Sequence, residues 1–74
     1  MDKLKLSMQE IVEATGESLP LIYKAIEAGD LDTFKVGRRR FAKPAAVRAW
    51  VDFLEAQSNA GRPVSYQARG EVRV

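Results

Sequence analysis

Residues 7–29 read SMQEIVEATGESLPLIYKAIEAG, and their spacing sets the architecture. Ser7 followed by Glu10 is a capping box: the serine hydroxyl accepts the backbone N–H three residues on, and the glutamate carboxylate reaches back to the serine N–H. Leu6 and Ile11 stand at the two positions of a hydrophobic staple, a second start signal independent of the first. Met8, Ile11, Val12 and Thr15 then share one face at helical spacing, and Gly16 is placed to end the helix. Ser18 opens a second helix, with Pro20 in its first turn, where a missing N–H is tolerated. At about 100° per residue, Leu19, Ile22 and Ile26 fall on an inward stripe; Pro20, Leu21, Lys24, Glu27 and Ala28 fall opposite, and Gly29 closes the helix.

Two short helices joined by a tight turn form a helix-turn-helix arrangement, in which the second helix can enter a major groove; an αα-hairpin with no nucleic-acid role has the same pattern. The period then changes. Phe34 and Val36 alternate with Thr33 and Lys35, Gly37-Arg38 suits a type II′ turn with glycine first, and the chain resumes with Arg39, Arg40, Phe41 and Ala42. The expected element is a hairpin with Arg38 at its tip, with Phe34, Val36 and Phe41 toward the core and Lys35, Arg39 and Arg40 outward. A lone hairpin is marginal in water, so this one must pack on the helices, as a wing does. Pro44 opens a third helix in which Val47, Trp50, Val51 and Leu54 recur at three- and four-residue spacings beside Phe53, with Trp50 as the core anchor. After Gln57 the composition turns to Ser, Asn, Gly, Pro and Arg. Residues 1–57 are therefore expected to form one domain and residues 58–74 a flexible tail, whose Val64, Tyr66, Val72 and Val74 could pair as a strand on a partner. The fold class is mainly α with a small β-hairpin.

Composition removes several functions. The chain has 74 residues, no cysteine and no histidine. It therefore has no thiolate nucleophile, imidazole base, disulfide or zinc site of the usual N/S type. A domain of this size has a thin core with no room for a deep catalytic cleft. Glu10 and Glu13 lie on an exposed helix face, and Gly37 lacks the context of a phosphate-binding loop. No apolar run approaches the roughly 20 residues of a membrane span, and the charged start lacks a signal-peptide core. These features point to a cytoplasmic, non-enzymatic binding module with no cofactor, metal, small-molecule substrate or membrane partner.

The formal charge of +2 conceals a polarity along the chain. Residues 1–32 carry −4, residues 33–48 carry +6 with no acid, residues 49–57 carry −2 and the remainder +2. A block of +6 in so small a domain attracts a polyanion whatever the total says, unless it is only a solvated surface run.

Taken together, Leu6, Gly16, Ser18, Tyr23, Gly29, Val36-Gly37-Arg38-Arg39 and Trp50 give residues 6–54 a resemblance to the excisionase-type, MerR-like winged helix-turn-helix domains of phage and mobile-element regulators. The resemblance implies binding to double-stranded DNA, with the second helix in the major groove and the wing against the minor groove or backbone. It also implies action as an excisionase or small transcriptional regulator, in which several copies bend DNA and help an integrase assemble. Where such domains usually carry small polar or basic residues after the serine, this chain has Leu19, Pro20 and Leu21. Apolar groups can touch thymine methyls but cannot make the bidentate hydrogen bonds that single out guanine or adenine. Glu27, Asp30 and Asp32 further oppose phosphate on that side. Weight therefore shifts to the wing. Lys35, Arg38, Arg39, Arg40 and Lys43 supply charge, Ser18, Tyr23 and Lys24 position the helix, and Pro20 and Leu21 are the candidate base contacts. Leu19 is expected in the core, whereas Leu21 is balanced between core and surface. The competing reading is a protein-interaction module or antitoxin that grips its partner through the Leu19–Leu21 face or the tail.

Overall fold

A computed structural model describes residues 3–66. Three helices and a three-stranded antiparallel sheet follow one another as β1 (Leu6–Ser7), α1 (Met8–Thr15), α2 (Leu19–Glu27), β2 (Phe34–Val36), β3 (Arg39–Ala42) and α3 (Pro44–Asn59). Among the described residues no helix is long and apolar enough to cross a membrane.

The capping box at the start of α1 is complete. The Glu10 N–H donates to Ser7 Oγ at 3.2 Å and the Ser7 N–H donates to Glu10 Oε1 at 2.9 Å. Lys3 Nζ, 2.6 Å from Glu10 Oε2, lowers the carboxyl pKa, with the Ser7 N–H adding to the effect. This support for the helix start is present at neutral pH and is lost as pH falls through a Glu10 pKa lying below the ordinary 4.5. Ser7→Ala is expected to cost about 1 kcal/mol, read as a fall in melting temperature of roughly 4–8 °C. An unchanged melting temperature would show that the box is not what holds α1.

Ser18 Oγ caps α2 by accepting the Leu21 N–H at 3.4 Å. At its other end Gly29, with φ +84°, donates to the Ile26 carbonyl, and Asp30 donates to that of Ala25, both at 3.0 Å. This paired arrangement turns the chain back so that Leu31 enters the core. The same motif ends α3, where Gly61 donates to Ser58 at 3.0 Å and Arg62 to Gln57 at 2.9 Å.

Ile11, Ile22, Ala25, Leu31, Ala42, Val47 and Trp50 make one buried cluster, with Leu6, Leu21, Ile26, Leu54 and Tyr66 packed around it. Two helical positions differ from expectation. In α2 the inward arc is centred between Ile22 and Ala25, which leaves Leu19 about a quarter turn away and 39% exposed. Leu21 lies closer to that arc and packs half-buried against the core. In α3, Val51 is exposed although it continues the stripe of Val47 and Trp50.

The largest correction concerns the sheet. Its order is β1-β3-β2, with Leu6 opposite Ala42 and Ser7 opposite Phe41, and with Phe34, Lys35 and Val36 opposite Phe41, Arg40 and Arg39. Directly opposed residues share a face and neighbours along a strand alternate. Leu6, Ala42, Arg40 and Lys35 therefore share one face, which Leu6 and Ala42 anchor to the central cluster. Phe34, Val36, Arg39 and Phe41 share the other. The expectation that Phe34, Val36 and Phe41 point into the main core is thus reversed for the pair on β2 and altered for Phe41. The cause is β1: once Leu6 is pinned over the core beside Ala42, strand parity sends Phe41 to the opposite side. Phe41 is nevertheless buried, because Phe34 and the side chains of Lys5 and Arg39 cover it.

Packing also reaches beyond Gln57. Helix α3 continues through Asn59, and Tyr66 comes back to the body: Trp50 Nε1–H donates to its hydroxyl at 3.2 Å, and that hydroxyl donates to Asp30 Oδ2 at 2.5 Å. The part of the expected tail from residue 67 onward, including Val72 and Val74, lies outside the described residues.

Candidate nucleic-acid interface

The hairpin carries four cations, Lys35, Arg38, Arg39 and Arg40. Gly37, with φ +62°, supplies the left-handed conformation that a two-residue turn needs at its first central position, and Arg38 follows it at the exposed tip. Arg39 is exposed, and its guanidinium carbon lies 5.5 Å from the Phe41 ring centroid. Lys5 Nζ approaches the same ring at 4.5 Å. Lys35 is exposed on β2. Arg40, expected outward with its neighbours, is instead half-buried, and its Nη1 donates to Thr33 Oγ1 at 2.6 Å. The arginine triplet is therefore two projecting side chains and one that braces the base of the hairpin.

Lys43, exposed, is the N-cap residue of α3 without a side-chain capping bond. Its charge adds to the positive end of the helix dipole instead of offsetting it, so the junction of β3 and α3 is electropositive. Among the described residues, the Lys3–Glu10 bridge is the one ion pair within 4.0 Å. Lys5, Lys35, Arg38, Arg39 and Lys43 thus present charge unneutralised, at that distance, by any carboxylate among the described residues. Lys5 was absent from the candidates drawn from the sequence. The alternation Lys3-Leu4-Lys5-Leu6 is a period-two signal that would have pointed to it.

Helix α2 offers a different surface. Pro20, Tyr23 and Glu27 are exposed, while Lys24 is half-buried. Ser18 is exposed but its oxygen is engaged in capping, leaving the hydroxyl hydrogen to donate outward. Of the two candidate base contacts, Pro20 is on the surface and Leu21 is largely withdrawn into the packing. A small groove of about 210 Å³ is lined by Ser18, Pro20, Leu21, Lys24 and Tyr66, so the C-terminal segment borders the first turns of α2. The sites expected on α2 and on the hairpin belong to separate elements joined through the core, where Ile22 and Ala25 meet the same cluster as Ala42.

A third surface is apolar. Leu6, Val47 and Val51, with Arg48 and Asp52 at the rim, line a groove of about 360 Å³ between α1 and α3. Comparison with protein-family models, with curated proteins and with solved structures returns no match for this chain.

Proposed function

We propose that this protein is a winged helix-turn-helix DNA-binding module, with the β2–β3 hairpin as its wing and α2 as the helix presented to the major groove. The observation that carries the proposal is the cluster of Lys35, Arg38 and Arg39 on one short hairpin with Lys5 just before the neighbouring strand, with no carboxylate within ion-pair distance among the described residues. Such a cluster in a domain this small is costly in self-repulsion unless a polyanion neutralises it. The wing supplies most of the affinity. Helix α2, with Glu27 outward and Lys24 half-buried, contributes orientation through Ser18 and Tyr23, and van der Waals contact through Pro20. The role we assign is that of a cytoplasmic accessory factor of a phage or mobile element, excisionase or small transcriptional regulator, which binds and bends DNA without chemistry of its own.

The test is a mobility-shift titration of Arg38→Ala with Arg39→Ala against salt. Removing two phosphate contacts should weaken binding roughly tenfold or more near 0.1 M salt, and should flatten the slope of log K against log salt by about 1.8. An unchanged affinity and slope would remove the wing from the interface.

The second reading, a module that binds a protein, draws support from the groove between α1 and α3 and from the exposed Val51 and Leu19. Withdrawal of Leu21 reduces the Leu19–Leu21 face on which that reading first rested.

A further inference from the structure

The outer face of the sheet combines two chemistries that the DNA-binding reading leaves unused together. Phe34 is 38% exposed and Val36 55% exposed, side by side on the edge strand β2. Phe34 leans on Phe41, with ring centroids 6.2 Å apart and planes tilted by 33°, so one side of Phe34 is supported and the other is open. Lys5 and Arg39 grip the Phe41 ring, and Arg38 at the exposed tip adds a further cation at the end of this face, whereas Lys35 points to the opposite side of the sheet. Among the described carboxylates, Glu10 is already held by Lys3, Glu13 lies across a groove from Arg39 and Phe41, and Asp32 shares a shallow groove with Phe34 on the side toward α3.

A flat apolar patch flanked by Lys5, Arg38 and Arg39 matches a nucleobase and its flanking phosphates. A neutral or basic protein surface matches it poorly, because docking there would strip water from several charges with no opposite charge to meet them, whereas a nucleic acid brings a planar base and phosphates together. In an intact duplex the base faces are stacked on one another and only edges are presented, so an aromatic ring can stack only where a step has been opened.

Resting on the DNA-binding reading, we infer that the wing's outer face is a base-stacking platform: Phe34, backed by Phe41 and flanked by Val36, occupies an unstacked step, so the protein prefers kinked, gapped or mismatched DNA over the intact duplex. Arg39 and Lys5 then serve two ends at once, holding Phe41 rigid beneath Phe34 and meeting the phosphates on either side of the opened step. Because β2 is at the sheet edge, Phe34 can enter between bases without a neighbouring strand in the way.

The experiment compares two duplexes of one sequence, intact and with a central one-nucleotide gap, for the wild-type chain, Phe34→Leu and Phe34→Trp. Anionic vesicles of phosphatidylglycerol and phosphatidylcholine serve as a further probe at the same ionic strength. Wild type should bind the gapped duplex about tenfold more tightly. Phe34→Leu, which keeps an apolar side chain, should abolish that preference while changing intact-duplex affinity less than twofold, and Phe34→Trp should retain or strengthen it. Phe34 is partly exposed, so both variants should keep the wild-type circular dichroism and melting behaviour. Equal binding of both duplexes by wild type, or an equal loss on both with Phe34→Leu, would overturn the platform while leaving wing-mediated binding intact. Binding to neither duplex would overturn the DNA-binding reading itself. Phe34-dependent binding to vesicles without any gap preference would reassign the face to a lipid surface.

Discussion

Trp50→Ala is expected to leave this domain largely unfolded near physiological temperature. Trp50 is 1% exposed and lies in the cluster that joins α1, α2, β3 and α3. Truncating a buried aromatic to alanine typically costs about 3–5 kcal/mol, through lost burial and the cavity left behind. A domain of this length has a total stability of only about 3–10 kcal/mol. The substitution also strips Tyr66 of the indole N–H that it accepts at 3.2 Å. Trp50→Phe should be milder, since it refills most of the volume and loses only that donor. Circular dichroism melts of the three chains should therefore rank wild type above Trp50→Phe and Trp50→Phe well above Trp50→Ala. A Trp50→Ala chain melting within about 5 °C of wild type would mean that the core closes without its largest side chain.

The second large effect is assigned to Tyr66. Its hydroxyl links Trp50 on α3 to Asp30 at the end of α2, closing the C-terminal segment onto the body. Tyr66→Phe leaves the indole N–H of a fully buried tryptophan without a partner and removes a hydrogen bond to a charged carboxylate, for an expected cost of about 1–3 kcal/mol. The same contacts predict an alkaline signature. Burial, and then the Asp30 carboxylate that accepts the hydroxyl hydrogen, push the Tyr66 pKa up to about 12 from the ordinary 10.0, against a smaller opposing pull from the Trp50 N–H. The folded state therefore favours the protonated phenol. Its contribution is fully present below pH 10 and is lost as pH rises from about 10 to about 12. To isolate this one group, the quantity to measure is the difference between wild type and Tyr66→Phe. That difference should shrink across the window, and one that stays constant with pH would contradict the bond to Asp30. A chain ending at Gln57 should be less stable than Tyr66→Phe, whereas one ending at Tyr66 keeps all of these contacts. Tests of a C-terminal partner-binding segment are therefore best cut after Tyr66.

Helix starts and stops were legible because they depend on residues three or four apart. Ser7 with Glu10, Ser18 with Pro20, Gly29 and Pro44 each satisfy or spare backbone groups within a single turn, so no distant part of the chain is needed to place them. The hairpin turn was legible for the same reason, since Gly37 alone supplies its positive φ. The face of the hairpin that turns inward was not, because a strand of three or four residues with apolar groups on both sides does not carry its own parity. Arg40 illustrates the consequence. Its place in a triplet of arginines marks it as a surface charge, and only the pairing opposite Lys35 brings it to Thr33 as a brace.

The candidate site divides along the same line. By itself the sequence determined the helical elements, the central role of Trp50 and the concentration of positive charge in residues 33–48, because capping, periodicity and charge are local properties. Tertiary structure alone decided that Leu6 and Ser7 pair with β3, that Phe34 and Val36 face outward with Arg39, that Lys5 joins the hairpin cations and that Tyr66 locks onto Asp30 and Trp50. Each of these depends on contacts between residues far apart in the chain. A strand only two residues long has too little pattern to announce its register, yet once paired it fixes the facing of every side chain across the sheet.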